Sequence, residues 1–360
     1  MNLEIQKLIN SIKPLDEHAM EHAQSRLDSL TKPVGSLGRL EELARWLAGV
    51  TQQARPRLPR KVVFTFAADH GVAQEGVSAY PAAVTPEMVR NFLRGGAAIN
   101  VLARQAGAEV IVADFGVAAD FGDLPGLISC KIAHGTVNMT QGPAMTEGQA
   151  IQAVLAGAKL ALAEKERGAT LFATGDMGIG NTTAASALVA ALTGAPVDEV
   201  TGRGTGIDDT TFRRKVSVIS QALKVNKVNA RNPLATLAQV GGFEIAGLVG
   251  VILAGAATRT PVLIDGFISG AAALVACRLA EPKPVRDYLS IAHLSVERGH
   301  QRIARELALV PLLDFRMRLG EGTGAALAMP LLDAACAILN EMATFAEAGV
   351  SEKNETVEKN

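Results

Sequence analysis

Aromatic side chains are scarce in this sequence: Phe, Trp and Tyr make up 4% of its 360 residues. Proteins that bind single-stranded nucleic acid stack bases on such rings, so that class is disfavoured. Net charge is lacking as well, because 35 Lys and Arg offset 36 Asp and Glu. No overall field draws in a polyanion or an anionic membrane surface, and any anion site has to be local. Cysteine is almost absent. Cys130, Cys277 and Cys336 are odd in number and far apart, which excludes a disulfide framework or a thiolate metal site and suits a reducing compartment. The apolar run Ala246–Ala257 falls short of the roughly 20 residues that span a bilayer. Residues 1–15 carry Glu4 and Lys7 in an amphipathic pattern, unlike the apolar core of a signal peptide. The expectation is a cytoplasmic globular protein with no nucleic-acid partner and no membrane insertion.

Apolar residues (48%) and glycine (35 residues) are abundant, as a large core threaded by tight loops requires. Residues 3–54 read as helical, with Pro14 near the start of a second helix and a break at Thr31–Gly38 before a third. That break either connects two helices or reaches into a site. From Lys61 onward, short β-branched or apolar runs at 62–67, 109–113, 170–174, 261–264 and 288–292 alternate with long helical stretches such as 145–166 and 242–257. Crossovers of that length predict parallel neighbours in a three-layer, Rossmann-like α/β core.

Each predicted strand runs into small and polar residues: Asp69-His70-Gly71, Asp114-Phe115-Gly116, Gly175-Asp176, Asp265-Gly266 and His293-Leu294-Ser295. Ligands of open parallel sheets bind beyond the carboxyl ends of the strands. These loops are therefore expected to line one crevice, unless Asp and Gly merely terminate the strands. The run 170–185 reads as strand, glycine loop and helix start, with Asn181 as a candidate N-cap. A helix N-terminus behind a glycine loop offers free N–H groups and a partial positive charge, which suits a phosphate. The loop has neither the Lys-Ser or Lys-Thr pair of a P-loop nor the G-x-G-x-x-G of a dinucleotide site. A second glycine loop, 201–209, leads into a helix carrying Arg213, Arg214 and Lys215. In Arg318–Ala326 a single carboxylate, Glu321, is flanked by glycine just before an apolar helix. It is either a first-turn acid favoured by the helix dipole or a base whose pKa rises in a glycine-lined, partly apolar pocket. His18 and His22 are four apart, but with no third ligand nearby they read as solvated helix residues.

Seven segments carry a family resemblance: Arg26–Glu41 (RLDSLTKPVGSLGRLE), Ala68–Val72 (ADHGV), Gly175–Ala185 (GDMGIGNTTAA), Gly202–Asp209 (GRGTGIDD), Gly241–Gly247 (GGFEIAG), Leu263–Phe267 (LIDGF) and Arg318–Pro330 (RLGEGTGAALAMP). Together, over residues 3–349, the chain resembles the nicotinate-nucleotide:dimethylbenzimidazole phosphoribosyltransferase family. The resemblance implies transfer of the 5-phosphoribosyl group of nicotinate mononucleotide to 5,6-dimethylbenzimidazole or a related lower-ligand base. The products would be nicotinate and α-ribazole 5′-phosphate, inverted at C1′, in cobamide biosynthesis. It further implies no metal or other cofactor, a homodimer, an α/β core at 59–296, and a small helical domain from 1–58 plus 297–349. Residues 350–360 read as a disordered tail. Glu321 matches the family's general base. Implied at the nucleotide and its phosphate are Gly178, Gly180, Asn181, Gly204, Lys215, Asp265 and Ser295; implied at the base are Ser78, Tyr80, Met88 and Leu319. Asp176 stands where the family pattern has Glu, one methylene longer, and is a candidate second carboxylate. Tyr80 and Met88 are bulkier and less polar than the pattern, which leaves the preferred base open.

The chemistry suits the residues. Nicotinate mononucleotide already carries a cationic pyridinium leaving group, so the protein has to position two substrates and remove the azole N–H proton. Two other readings stay open. A nicotinamide-dependent dehydrogenase would place a pyrophosphate on the 175–180 loop, although no acidic residue ends a second strand about 20 residues on. A non-catalytic nucleotide-binding regulator would need the glycine loops but not Glu321.

Overall fold

The computed structural model describes residues 2–351. Six strands form one sheet: β1 Lys61–Ala68, β2 Ala108–Gly116, β3 Leu127–Ser129, β4 Leu171–Met177, β5 Val262–Ile264 and β6 Leu289–Ile291. Their order is β3-β2-β1-β4-β5-β6, and every pair is parallel. All eight residues of β1 are buried, because helices cover both faces; such strands are apolar throughout instead of alternating. Only β3, three residues with none fully buried, had no apolar run to betray it. The order reverses between β1 and β4. Connections leave in opposite directions there, which opens a crevice at the carboxyl ends of the strands.

Two long helices, Glu147–Glu166 and Phe243–Ala257, pack with their backbones nearly touching. A Cβ on Gly157 would fall 1.9 Å from the carbonyl oxygen of Gly247, so a side chain there would force the helices apart. The second of these helices is buried from Phe243 to Ala256, which accounts for its unbroken apolar run.

The chain forms two compact units. One contains the described residues up to Pro14 together with Pro59–Ala328; the other contains Leu15–Leu58 and the described residues from Met329 onward. This differs from the expected division, which gave 1–14 and 297–328 to the helical part. The first of those segments is tied to the sheet unit by Tyr288, whose hydroxyl donates to the Lys13 carbonyl at 2.7 Å. The second is tied to it by Glu321, whose N–H donates to the Asp176 carbonyl of β4. In the helical unit, Glu17–Ser29 and Arg39–Thr51 flank the 31–38 loop. Lys32 of that loop is buried in a 2.9 Å ion pair with Glu41, so the loop is anchored within its own unit. Pro14 precedes the second helix, whose N-cap is Asp16.

Among the described residues, Thr323–Glu341 is the one helix long and apolar enough to cross a bilayer, and 56% of its apolar window is buried in the protein. The expected tail, 350–360, lies outside the described residues except for its first two positions.

Candidate active site

A cavity of about 490 Å³ opens beyond the carboxyl ends of β4, β5 and β6. Glu321 lies in its wall, on a turn that folds back over β4. Gly320, Glu321 and Gly322 have φ of +82°, +65° and +96°, three successive left-handed residues. Glycine adopts that conformation freely, but a glutamate does so at a cost of about 1–2 kcal/mol. The surroundings hold it there. Thr65 Oγ1 donates to the Glu321 carbonyl at 2.8 Å, and Glu321 N–H donates to the Asp176 carbonyl at 3.2 Å. Gly175 lets the turn lie on the strand, since a Cβ there would come within 2.3 Å of the Glu321 carbonyl oxygen.

The carboxylate of Glu321 is not a first-turn acid of the helix that follows it, which starts at Thr323. It caps a different helix: Oε2 accepts from the Ile99 N–H at 3.3 Å, in the first turn of Ala98–Gln105. Burial pushes its pKa above the usual glutamate value, and the Ile99 N–H moderates the rise. The result is a carboxylate primed to accept a proton and aimed by its backbone.

Asp176 shares the wall with it. One oxygen accepts from the Asn181 side-chain amide at 2.9 Å, and the other has no hydrogen-bond partner among the described residues. Burial, then the neighbouring charges of Asp265 and Glu244, raise the pKa of Asp176 well above the ordinary aspartate range, and Glu321 adds to the rise.

Gly178, Gly180, Asn181, Gly204 and Ser295 also line the cavity, with Thr182. Asn181 does not cap the helix as expected. Gly180, at φ +97°, is the N-cap of Asn181–Thr193, which frees the Asn181 side chain for Asp176. Of the four cations on Asp209–Val225, Arg213, Arg214 and Lys224 are exposed and only Lys215 is buried. Lys215 stands just behind the wall, where Nζ donates to Thr182 Oγ1 at 2.8 Å and to the Gly202 carbonyl at 3.3 Å. Burial lowers its pKa to about 8, with Glu297 opposing. Ser295 is braced by its N–H, which donates to His300 Nδ1 at 2.9 Å. Burial beside His293 pushes His300 down to about 3, so it accepts as a neutral ring.

Ser78, Tyr80, Met88 and Leu319 line the remaining side with Val77, Val84 and Ile179. Tyr80 and Leu319 are 56% and 57% exposed, so this apolar end is open to solvent.

Asp265, like Lys215, is an expected nucleotide ligand that lies outside the cavity wall. It is completely buried beneath the turn, accepting from Gly322 N–H at 3.2 Å and Ala325 N–H at 3.0 Å. Burial pushes its pKa to about 7, against the pull of the backbone donors at Ala325, Gly324 and Gly322. These bonds tie Asp265 to the turn that carries Glu321.

The shared crevice is likewise built from fewer loops than expected. Asp114 turns back to accept from Gly116 and Val117 N–H, and Asp69 accepts from Ala118 N–H. His70 pairs with Glu244 at 2.7 Å, both buried. Burial opposes charge on that imidazole, but the Glu244 and Asp69 carboxylates outweigh it and raise its pKa. These residues stiffen the strand ends beneath the 178–180 loop.

Thr182, Glu297 and Arg318 are among the wall residues that the sequence did not assign to the site. The alternation Ser295-x-Glu297 was a usable signal, because residues two apart in extended chain share a face. Gly204 is clamped between two of them. Its N–H donates to Glu297 Oε1 at 2.9 Å, and its carbonyl accepts from Arg318 Nη1 at 2.7 Å.

The chain is similar over nearly its whole length to proteins of known name. The Phosphoribosyltransferase family matches residues 12–350. The nicotinate-nucleotide–dimethylbenzimidazole phosphoribosyltransferase of Chloroflexus aggregans is 61% identical over 347 residues, 96% of this chain and 98% of that protein. The protein of the same name from Geobacter metallireducens is 54% identical over 342 residues, 95% and 96% of the two chains. A crystal structure of the phosphoribosyltransferase of that name from Thermus thermophilus matches with a TM-score of 0.89 at 48% identity, covering 94% of this chain and 100% of the other.

Proposed function

The chain belongs to the nicotinate-nucleotide–dimethylbenzimidazole phosphoribosyltransferase family, and we propose that Glu321 is the base that completes the transfer. The enzyme moves the 5-phosphoribosyl group of nicotinate mononucleotide onto 5,6-dimethylbenzimidazole or a related base, a step of cobalamin biosynthesis. The readings as a dehydrogenase or a regulator have no support beside it.

The observation that carries the mechanism is the left-handed turn 320–322, which spends conformational energy to hold one carboxylate in a cavity wall. One azole nitrogen attacks C1′ from the face opposite nicotinate. The C1′–N bond breaks, its electron pair neutralises the pyridinium, and the anomeric centre inverts from β to α. Glu321 takes the N–H proton of the other azole nitrogen as the base gains positive charge. The 5′-phosphate rests on Gly178, Gly180, Asn181, Gly204 and Ser295, with the Lys215 ammonium behind Thr182 supplying charge. The base lies among Ser78, Tyr80, Met88 and Leu319, with Asp176 as a second carboxylate near it. The family resemblance favours a homodimer as the active form, and sedimentation at working concentration tests it.

Incubating the protein with nicotinate mononucleotide and 5,6-dimethylbenzimidazole tests the whole reading. Nicotinate and an α-linked ribazole phosphate are expected in equal amounts; no base-dependent nicotinate release would refute it.

A further inference from the structure

Glu297 is a carboxylate in the cavity wall that the mechanism above leaves without a task. It is 5% exposed. Oε1 accepts from Gly204 N–H at 2.9 Å, and the Glu297 N–H donates to Ser295 Oγ at 3.3 Å. Oε2 has no hydrogen-bond partner among the described residues. The chain makes room for this carboxylate at Gly202, where a Cβ would fall 1.7 Å from Oε2.

A buried carboxylate with an oxygen left unpaired is costly unless a donor reaches the group. When ionised it can only accept. Resting on the proposed reading, the donors that enter the cavity can be counted from the substrates' chemistry. The pyridinium nitrogen of nicotinate mononucleotide carries the sugar and has no hydrogen. The ionised nicotinate carboxylate and 5′-phosphate only accept. The azole offers a single N–H, which goes to Glu321. What is left is the pair of ribose hydroxyls.

Position points the same way. Glu297 is hydrogen-bonded to both Gly204 and Ser295, two residues of the proposed phosphate site, and the ribose is the part of the nucleotide that follows its 5′-phosphate. We propose that Glu297 is a specificity-determining residue that accepts a hydrogen bond from a ribose hydroxyl and so selects ribonucleotides over deoxyribonucleotides. Its ligand class is a 5′-phosphorylated nucleoside with a free 2′,3′-diol.

The test is calorimetric binding of nicotinate mononucleotide and its 2′-deoxy and 3′-deoxy analogues, with no base present so that no transfer occurs. Wild-type enzyme should favour the ribonucleotide over at least one analogue by about 10–100-fold, the value of one hydrogen bond to a charged group. In Glu297→Gln and Glu297→Ala that preference should shrink toward unity, chiefly through weaker binding of the ribonucleotide. A merely structural role would weaken all three nucleotides equally, and an unchanged ratio overturns the proposal. Tighter binding of every nucleotide by Glu297→Gln also overturns it, because the carboxylate would then be facing the phosphate. Should Glu297→Ala fail to fold, Glu297→Gln, which keeps an acceptor for Gly204 N–H, decides alone. Failure of the wild type to release nicotinate with base present is a separate result; it would refute the parent reading and this inference with it.

Discussion

The backbone N–H of Glu321 donates to the carbonyl oxygen of Asp176 at 3.2 Å, so the two carboxylates of the cavity wall hang from one hydrogen-bonded contact. Their side chains are consequently buried in the same space. Burial raises the cost of ionising Asp176, and the charges of Asp265 beneath the turn, Glu244 and Glu321 add to it, whereas the rise at Glu321 itself comes from burial. This burial is expensive, and it is the arrangement in which a carboxylate becomes a better proton acceptor than it is in water.

Replacing Glu321 with Gln preserves shape and an acceptor for Ile99 N–H but removes the base. Turnover should fall by about 10²–10⁴ while both substrates still bind and the melting temperature barely moves. The double variant with Asp176→Asn should be slower still if Asp176 rescues part of the rate. Turnover, affinity and melting measured on the same proteins decide the matter, and full activity in Glu321→Gln would remove the general-base role.

Lys215 loses its proton at about pH 8 because burial disfavours its charge. Since kcat/KM reports the free enzyme, its value for the mononucleotide should decline as pH rises through that value. Lys215→Ala should raise the mononucleotide KM by the equivalent of about 1.5–3 kcal/mol and abolish the alkaline limb, leaving the KM for the base little changed. A mononucleotide KM that stays at the wild-type value would count against a phosphate site there.

Asp265 supports the turn in a manner visible in the pH dependence of stability. Its folded pKa of about 7 lies above the unfolded value of about 3.9. The folded protein therefore keeps a proton that the unfolded chain releases. This contribution is complete below the unfolded value and is lost as pH rises through about 7. Melting temperature measured across that window should slope downward more steeply in the wild type than in Asp265→Asn. Parallel curves would show that Asp265 does not titrate in this way.

The open apolar end, with Tyr80 and Leu319 more than half exposed, should accept several flat aromatic bases. Competition among benzimidazole, 5,6-dimethylbenzimidazole, adenine and phenols should give turnover of more than one. Strict use of dimethylbenzimidazole would mean that Tyr80 and Met88 do not face the base.

Much of the scaffold was written in local pattern. The β-branched runs at 62–67 and 170–174 announced β1 and β4, because a strand covered on both faces has to be apolar throughout. The glycines on either side of Glu321 were visible in the sequence, but the left-handed turn they form with it appears only in the structure. What sequence reasoning could not see was the outcome of packing between distant segments. Lys215 stands among Arg213 and Arg214 in sequence, and only the seating of its helix against Thr182 and Gly202 buries it alone. Asp265 follows β5 as Asp176 lies near the end of β4, yet one goes beneath the turn and the other faces the cavity. Glu297 and Arg318 are 21 positions apart in the numbering and meet on the two sides of Gly204. Local sequence determines which conformation each short segment prefers; which side chains converge depends on strand order and on the burial of charge, and these are set only when the whole sheet has closed its core.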